Sequence, residues 1–229
     1  MLISHLYKFI YLKTVKTAGT SVEIYFEPYC VAPGTPARDR HPREAEYSQF
    51  GVIAPRGDPI PDDPILHPHM SASRVREITG EVLWNEYYKF SVVRNPFDKI
   101  VSQFWIVLFP PVRELLKQAD FSAVRKVFLE WIKGARLPVD HAVYSIYGET
   151  VVDYFVRFET LHADLERVCG RLAIPWEPQR LGHYHGEYRV RKEHFSEYYS
   201  REATDIVRKQ FAWDLQYFDY SDLPELETD

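Results

Sequence analysis

The run Lys8-Phe9-Ile10-Tyr11-Leu12, followed directly by Lys13-Thr14-Val15-Lys16-Thr17-Ala18-Gly19-Thr20-Ser21, decides the fold. Its first five residues are rich in aromatic and β-branched side chains and are bounded by polar residues, the pattern of a short buried strand. The next nine are small, polar and glycine-bearing, and an apolar-periodic segment opens at Val22. The order is strand, tight loop, helix. A glycine turn in that setting aims backbone N–H groups and the positive end of the helix dipole at one point, which suits an oxyanion.

Further along, the alternation repeats. Lys89 to Val93 (KFSVV) reads as a second strand, and Asp153 to Phe158 (DYFVRF) as a third. Ser71 reads as an N-cap, with Val75 and Ile78 on the apolar face of the helix it opens and Gly80 at that helix's C-terminal end. Pro96 suits the first turn of a helix carrying Ile100, Val101, Phe104, Val107 and Leu108, which Pro110-Pro111 is expected to stop. Helices are also expected over about 121–133, 140–147, 159–172 and 201–215. Strands alternating with helices predict an α/β fold with a central, mainly parallel sheet flanked by helices. Such sheets take ligands beyond the carboxyl ends of their strands, where the loop from Lys13 and the segment from Arg94 both lie.

Residues 28–68 break the pattern. They hold nine of the chain's 16 prolines, together with Gly34, Gly51 and Gly57, so neither a long helix nor a central strand fits. Tyr47, Phe50, Val52 and Ile53 give this segment something to bury, and an ordered excursion over the domain surface, or a lid, is expected.

The whole chain, 229 residues with 45% hydrophobic and 27% charged, has the balance of a globular protein, and it is expected to form a single domain over 1–229. Cys30 and Cys169 are too few for a disulfide scaffold and too far apart for structural zinc. The net charge of −5 argues against a nucleic-acid-coating surface while leaving room for a local basic pocket. No apolar stretch approaches the ~20 residues of a membrane helix, and a soluble cytoplasmic protein is expected.

Lys16 adds a mobile positive charge to the loop, Thr17, Thr20 and Ser21 add hydroxyls, and Ala18 and Gly19 keep the backbone accessible. Lys13 either adds charge at the mouth of the loop or faces solvent. The segment is not a Walker A loop, because GxxxxGK[ST] is absent and the lysine precedes the glycine. In VVRNPFDKIVSQF, Arg94 stands at a strand end and Ser102 lies eight residues on, about two helical turns later. A guanidinium fork and a hydroxyl on one side can share a phosphate.

At these two segments the chain resembles the PAPS-dependent sulfotransferases, and most closely the branch of heparan sulfate 2-O-sulfotransferase and its bacterial relatives. The resemblance implies a three-layer P-loop-type fold. It implies that residues 16–21 receive the 5′-phosphosulfate of 3′-phosphoadenosine 5′-phosphosulfate (PAPS), leaving PAP as product, and that Arg94 and Ser102 receive the 3′-phosphate. FVRFETLHADLERVC, from Phe155, and HFSEYYSREATDIVRKQFAWDLQYFDY, from His194, are similar to the family's later strand–helix unit and C-terminal helix. Two departures stand out: Val15 occupies a position where many members have proline, and Lys99 one where arginine is common. Lys99 is expected to face solvent or a carboxylate.

His67-Pro68-His69-Met70-Ser71 resembles the branch's HxHxS segment, which makes His69 the catalytic base and His67 its companion. Asp62 or Asp63 is the acidic alternative. The resemblance also implies that a late basic loop closes over the 3′-phosphate, which brings in Arg189, Arg191 and Lys192. A metal held by His67, His69, His183 and His185 lacks a carboxylate or cysteine at suitable spacing, and no metal is expected. The acceptor implied is a hydroxyl-bearing glycan or small metabolite. Two other readings use the same residues, namely a P-loop nucleotide phosphotransferase and a non-catalytic nucleotide- or glycan-binding module.

Overall fold

The computed structural model describes residues 1–36, 39, 41–57, 59–63, 65–182, 184 and 188–220. In chain order the elements are β1 (Leu2–Ser4), β2 (Phe9–Leu12), α1 (Gly19–Phe26), β3 (Glu46–Ser48), β4 (Gly51–Ile53), α2 (Ala72–Glu86) and β5 (Tyr88–Val93). Then come α3 (Pro96–Val107), α4 (Pro110–Gln118), α5 (Phe121–Gly134), α6 (His141–Tyr144), β6 (Ser145–Ile146) and β7 (Glu149–Thr150). The last are β8 (Tyr154–Arg157), α7 (Leu161–Arg171), α8 (Arg201–Gln210) and α9 (Ala212–Tyr217).

The fold is α/β with a six-stranded sheet in the order β3-β4-β1-β2-β5-β8. The expected mainly parallel sheet is corrected: β2-β5 and β5-β8 are parallel, but β1-β2, β1-β4 and β3-β4 are antiparallel. The physical reason lies in the connections. Parallel neighbours need long crossovers, which β2, β5 and β8 have; β1 returns to β2 through a tight turn with Lys8 in the left-handed region (φ 52°). The proline-rich excursion then adds the β3–β4 hairpin to the free edge of β1, with Leu2 opposite Ile53. Its described residues contribute the strands β3 and β4, neither of them central.

The chain divides into two compact units, residues Met1–Val93 with Asp140–Tyr184, and Arg94–Val139 with the described residues after 185. The first encloses Phe9, Tyr11, Phe26, Phe90, Val92, Val156, Leu165 and Val168 around the sheet. Helix α1 is buried on nearly every side, its one charged residue, Glu23, included. The second unit is helical, with Phe97, Phe104, Trp105, Phe128, Tyr198 and Tyr199 packed edge to face. Its buried hydroxyls are satisfied: Tyr199 Oη donates to the Phe97 carbonyl at 2.8 Å, and Trp105 Nε1 donates to Tyr198 Oη at 3.1 Å.

Several boundaries differ from the sequence expectation. Pro110-Pro111 does not merely stop α3, which ends at Val107; the two prolines open α4, whose first-turn positions need no N–H. The expected helix over 140–147 is the single turn α6 followed by the β6–β7 hairpin, where Tyr147 and Gly148 both take positive φ. Gly80 (φ 73°, ψ 159°) interrupts α2, and the helix resumes to Glu86. The last helix is two, α8 and α9, meeting at Phe211.

Candidate active site

The loop between β2 and α1 is built from backbone outward. Its first hydroxyl, Thr14 Oγ1, donates to the Val92 carbonyl of neighbouring β5 and lies 2.7 Å from Thr17 Oγ1. Thr17 is therefore 1% exposed and serves the loop's own structure. Lys16 (φ 61°) and Ala18 (φ 62°) are both left-handed, a conformation that costs a non-glycine residue on the order of 1 kcal/mol or more. Ala18 is the N-cap of α1 and offers no side chain to it, and the first turn carries no acidic residue. The N–H groups opening this eight-residue helix have no acceptor within the helix, so the end is electropositive. Lys16, Ala18 and Thr20 are half-exposed, whereas Gly19 and Ser21 are buried. Ser21 Oγ accepts the Tyr184 amide at 3.4 Å, which leaves its proton to donate elsewhere.

Gly19 provides room, but for a neighbour: a Cβ there would lie 3.0 Å from Cγ and Cε of Lys13 and 3.2 Å from the Thr14 carbonyl. Lys13 is the second correction. It is 6% exposed and its ammonium pairs with Glu23 Oε2 at 2.5 Å, so it neither faces solvent nor stands at the mouth. Burial pushes the Glu23 carboxyl up, but Lys13 and Arg56 outweigh it and hold the group at about 2. Beside this pair, Glu27 receives Arg43 at 2.7 Å and Arg56 at 2.9 Å. This cluster ties the proline-rich excursion to α1.

His69 sits in the same unit, with Nδ1 3.0 Å from the Lys13 carbonyl. A carbonyl can only accept, so Nδ1 carries the proton and Nε2 presents a lone pair. Burial, then the Lys13 charge, lowers its pKa to about 3. The ring is thus neutral and oriented, as a proton acceptor requires. His67 is exposed, accepts the His69 amide on Nδ1 at 3.2 Å, and has its ring 6.0 Å from that of His69. Of the acidic alternatives, Asp62 is exposed, while Asp63 accepts the Leu66, Ile65 and Tyr47 donors. Those amides, Leu66 first, hold the Asp63 carboxyl below its ordinary range, which makes it a poor base. His183 and His185 lie outside the described residues, and no metal-ligating cluster of three or more occurs among the described ones.

The second unit brings Arg94 and Arg189 to one carboxylate. Arg94 reaches Asp98 Oδ2 through Nε at 2.8 Å and Nη2 at 2.6 Å, and Arg189 reaches Oδ1 at 2.7 Å. Ser102 is half-buried on the same helix, α3. Asp98 lies inside the quoted RNPFDKIVS segment, four residues from Arg94, and that spacing was the signal for its role; the partnership with Arg189, 91 residues away, had none. Arg191 is spent on the fold: it donates to the Leu116, Lys117 and Ala119 carbonyls that end α4, pairs with Glu193 and covers the Phe121 ring. Lys192 is exposed. Lys99 does not face solvent: it is buried, with its ammonium 5.5 Å from the centre of the Phe211 ring.

No family model matches the chain, and comparison with curated proteins and with solved structures finds no similar one. No helix among the described residues is long and apolar enough to cross a membrane.

Proposed function

We propose that the protein is a PAPS-dependent sulfotransferase that transfers a sulfuryl group to a hydroxyl acceptor, a glycan or small metabolite, on a three-layer P-loop-type variant of the α/β fold. The observation that carries the reading is the uncapped start of α1, preceded by left-handed Lys16 and Ala18, in the same unit as a neutral, oriented His69. The residues fit an oxyanion donor: the opening N–H groups of α1, Lys16 and the Thr20 and Ser21 hydroxyls belong to one short segment, with no acidic side chain in the helix's first turn. The bound donor supplies an activated sulfuryl group and a phosphate leaving group.

In this reading the chain's own groups divide the work. Nε2 of His69 takes the proton from the acceptor hydroxyl as its oxygen bonds to sulfur, and the sulfur–oxygen bond to the phosphate breaks opposite it. Lys16 and the α1 amides stabilise the charge gathering on the departing phosphate, where fixed dipoles act most strongly. Arg94 and Arg189, already aligned by Asp98, with Ser102, would hold the 3′-phosphate, and His67 supports the His69 backbone through its amide.

The test is titration calorimetry with PAP alongside radiosulfate transfer from PAPS to a panel of hydroxyl acceptors. Lys16→Ala and Arg94→Ala are each expected to weaken PAP binding by about tenfold or more, about 1.4 kcal/mol. His69→Ala is expected to keep PAP binding and lose roughly 10²–10⁴ in transfer rate. Wild-type protein that ignores PAP, or charge variants that bind it as wild type does, would end the assignment.

A further inference from the structure

The carboxylate of Asp140 makes a contact that no motif announces. It is 5% exposed, and both its oxygens accept the backbone N–H of Val15, at 3.2 and 3.1 Å, across 125 residues of sequence. Asp140 occupies the N-cap position of α6, where an aspartate ordinarily bonds its own helix, yet it makes no such cap. The side chain reaches back into the β2–α1 loop instead. Val15 immediately precedes Lys16, the first of the two left-handed residues, and a strained backbone persists only where its surroundings over-determine it. Thr14 is fixed on the other side by the Val92 carbonyl. The loop is therefore pinned at two consecutive residues, from β5 and from the start of α6.

We propose that Asp140 is a positioning residue of the anion loop, holding Lys16 and Ala18 in the conformation that receives the oxyanion. The inference rests on the reading of this loop as an oxyanion receptor. It also accounts for valine at position 15: proline would remove the N–H that the carboxylate grips.

Charge makes the proposal decidable. A buried carboxylate behind an anion site repels the anion, so deleting it should, by Coulomb's law alone, tighten binding. Weaker binding after deletion runs against that electrostatic effect and points to lost positioning. The experiment combines PAP calorimetry, steady-state transfer from PAPS and amide hydrogen exchange at Val15. Asp140→Ala is expected to raise the PAP dissociation constant and the KM for PAPS by about tenfold, with kcat changed by less than about threefold, and to speed Val15 exchange. Asp140→Asn keeps an acceptor oxygen for the same N–H and is expected to bind PAP at least as well as wild type. In a Val15→Pro background, Asp140→Ala is expected to change binding by less than about twofold, because the coupled contact is already gone.

Unchanged or tighter PAP binding by Asp140→Ala overturns the proposal, as does rapid Val15 exchange in the wild-type protein, a measurement that needs no variant to fold. Wild-type protein that does not bind PAP removes the sulfotransferase reading instead, and the positioning inference is then decided by the Val15 exchange rates of wild type and Asp140→Ala.

Discussion

His69 shows how a single side chain is set by its surroundings. Its depressed pKa means that the folded protein resists a proton that the unfolded chain accepts at about 6.5. The unfolded state binds more protons between those values, so stability is complete above about pH 6.5 and declines as pH falls toward 3. Between pH 7.5 and pH 5 this one group is expected to remove about 2 kcal/mol, seen as a falling urea midpoint. His69→Gln should flatten that part of the profile; an equally steep decline in the variant would show that another group carries it. The same low pKa bears on chemistry. Under the proposed function, an anionic donor at the β2–α1 loop would offset the Lys13 charge felt by the ring and strengthen the base.

Individual elements carry their own test in a pair of glycines. Gly80 has a φ of 73° inside α2, with nothing within 4 Å of where a Cβ would stand, so the space is open but the backbone is not. Gly80→Ala is expected to cost about 1–3 kcal/mol from conformation alone. Gly170, exposed in the last turn of α7 with ordinary helical backbone and equally open space, should behave oppositely: Gly170→Ala is expected to gain about 0.5–1 kcal/mol. Thermal denaturation of the two variants checks both signs. The elements themselves were largely legible. β2, β5, β8, α1, α3, α5 and α7 lie where apolar periodicity and N-cap residues put them, because each buries a continuous stripe of its own sequence. What periodicity missed were elements of two or three residues (β1, β3, β4, β6 and β7), too short to show a period and formed only by pairing. α4 was hidden by reading its opening prolines as a stop.

For the whole molecule, the question is what holds the described part of a 41-residue stretch that has nine prolines. Its answer is the β3–β4 hairpin on β1 together with the buried ion cluster, in which Glu27 receives guanidinium groups from both Arg43 and Arg56. Removing one partner of such a cluster leaves charges buried without compensation, typically a loss of 3–5 kcal/mol. Glu27→Ala is expected to lower stability by about that amount and to make the segment after residue 30 the first site of limited proteolysis; cleavage elsewhere first would show that the hairpin alone holds it.

The sequence alone determined the strand–loop–helix units, the glycine-bearing polar loop at residues 16–21, the Arg94–Ser102 spacing and the histidine before Ser71, since each is a local pattern of residue types. Only the tertiary structure decided the antiparallel half of the sheet, the burial of Lys13 and Lys99, the consumption of Arg191 by α4, and the partners Asp98 and Asp140. Those depend on which distant residue fills a neighbouring space or satisfies a buried charge, and contacts closed across 91 or 125 residues leave no trace in local spacing.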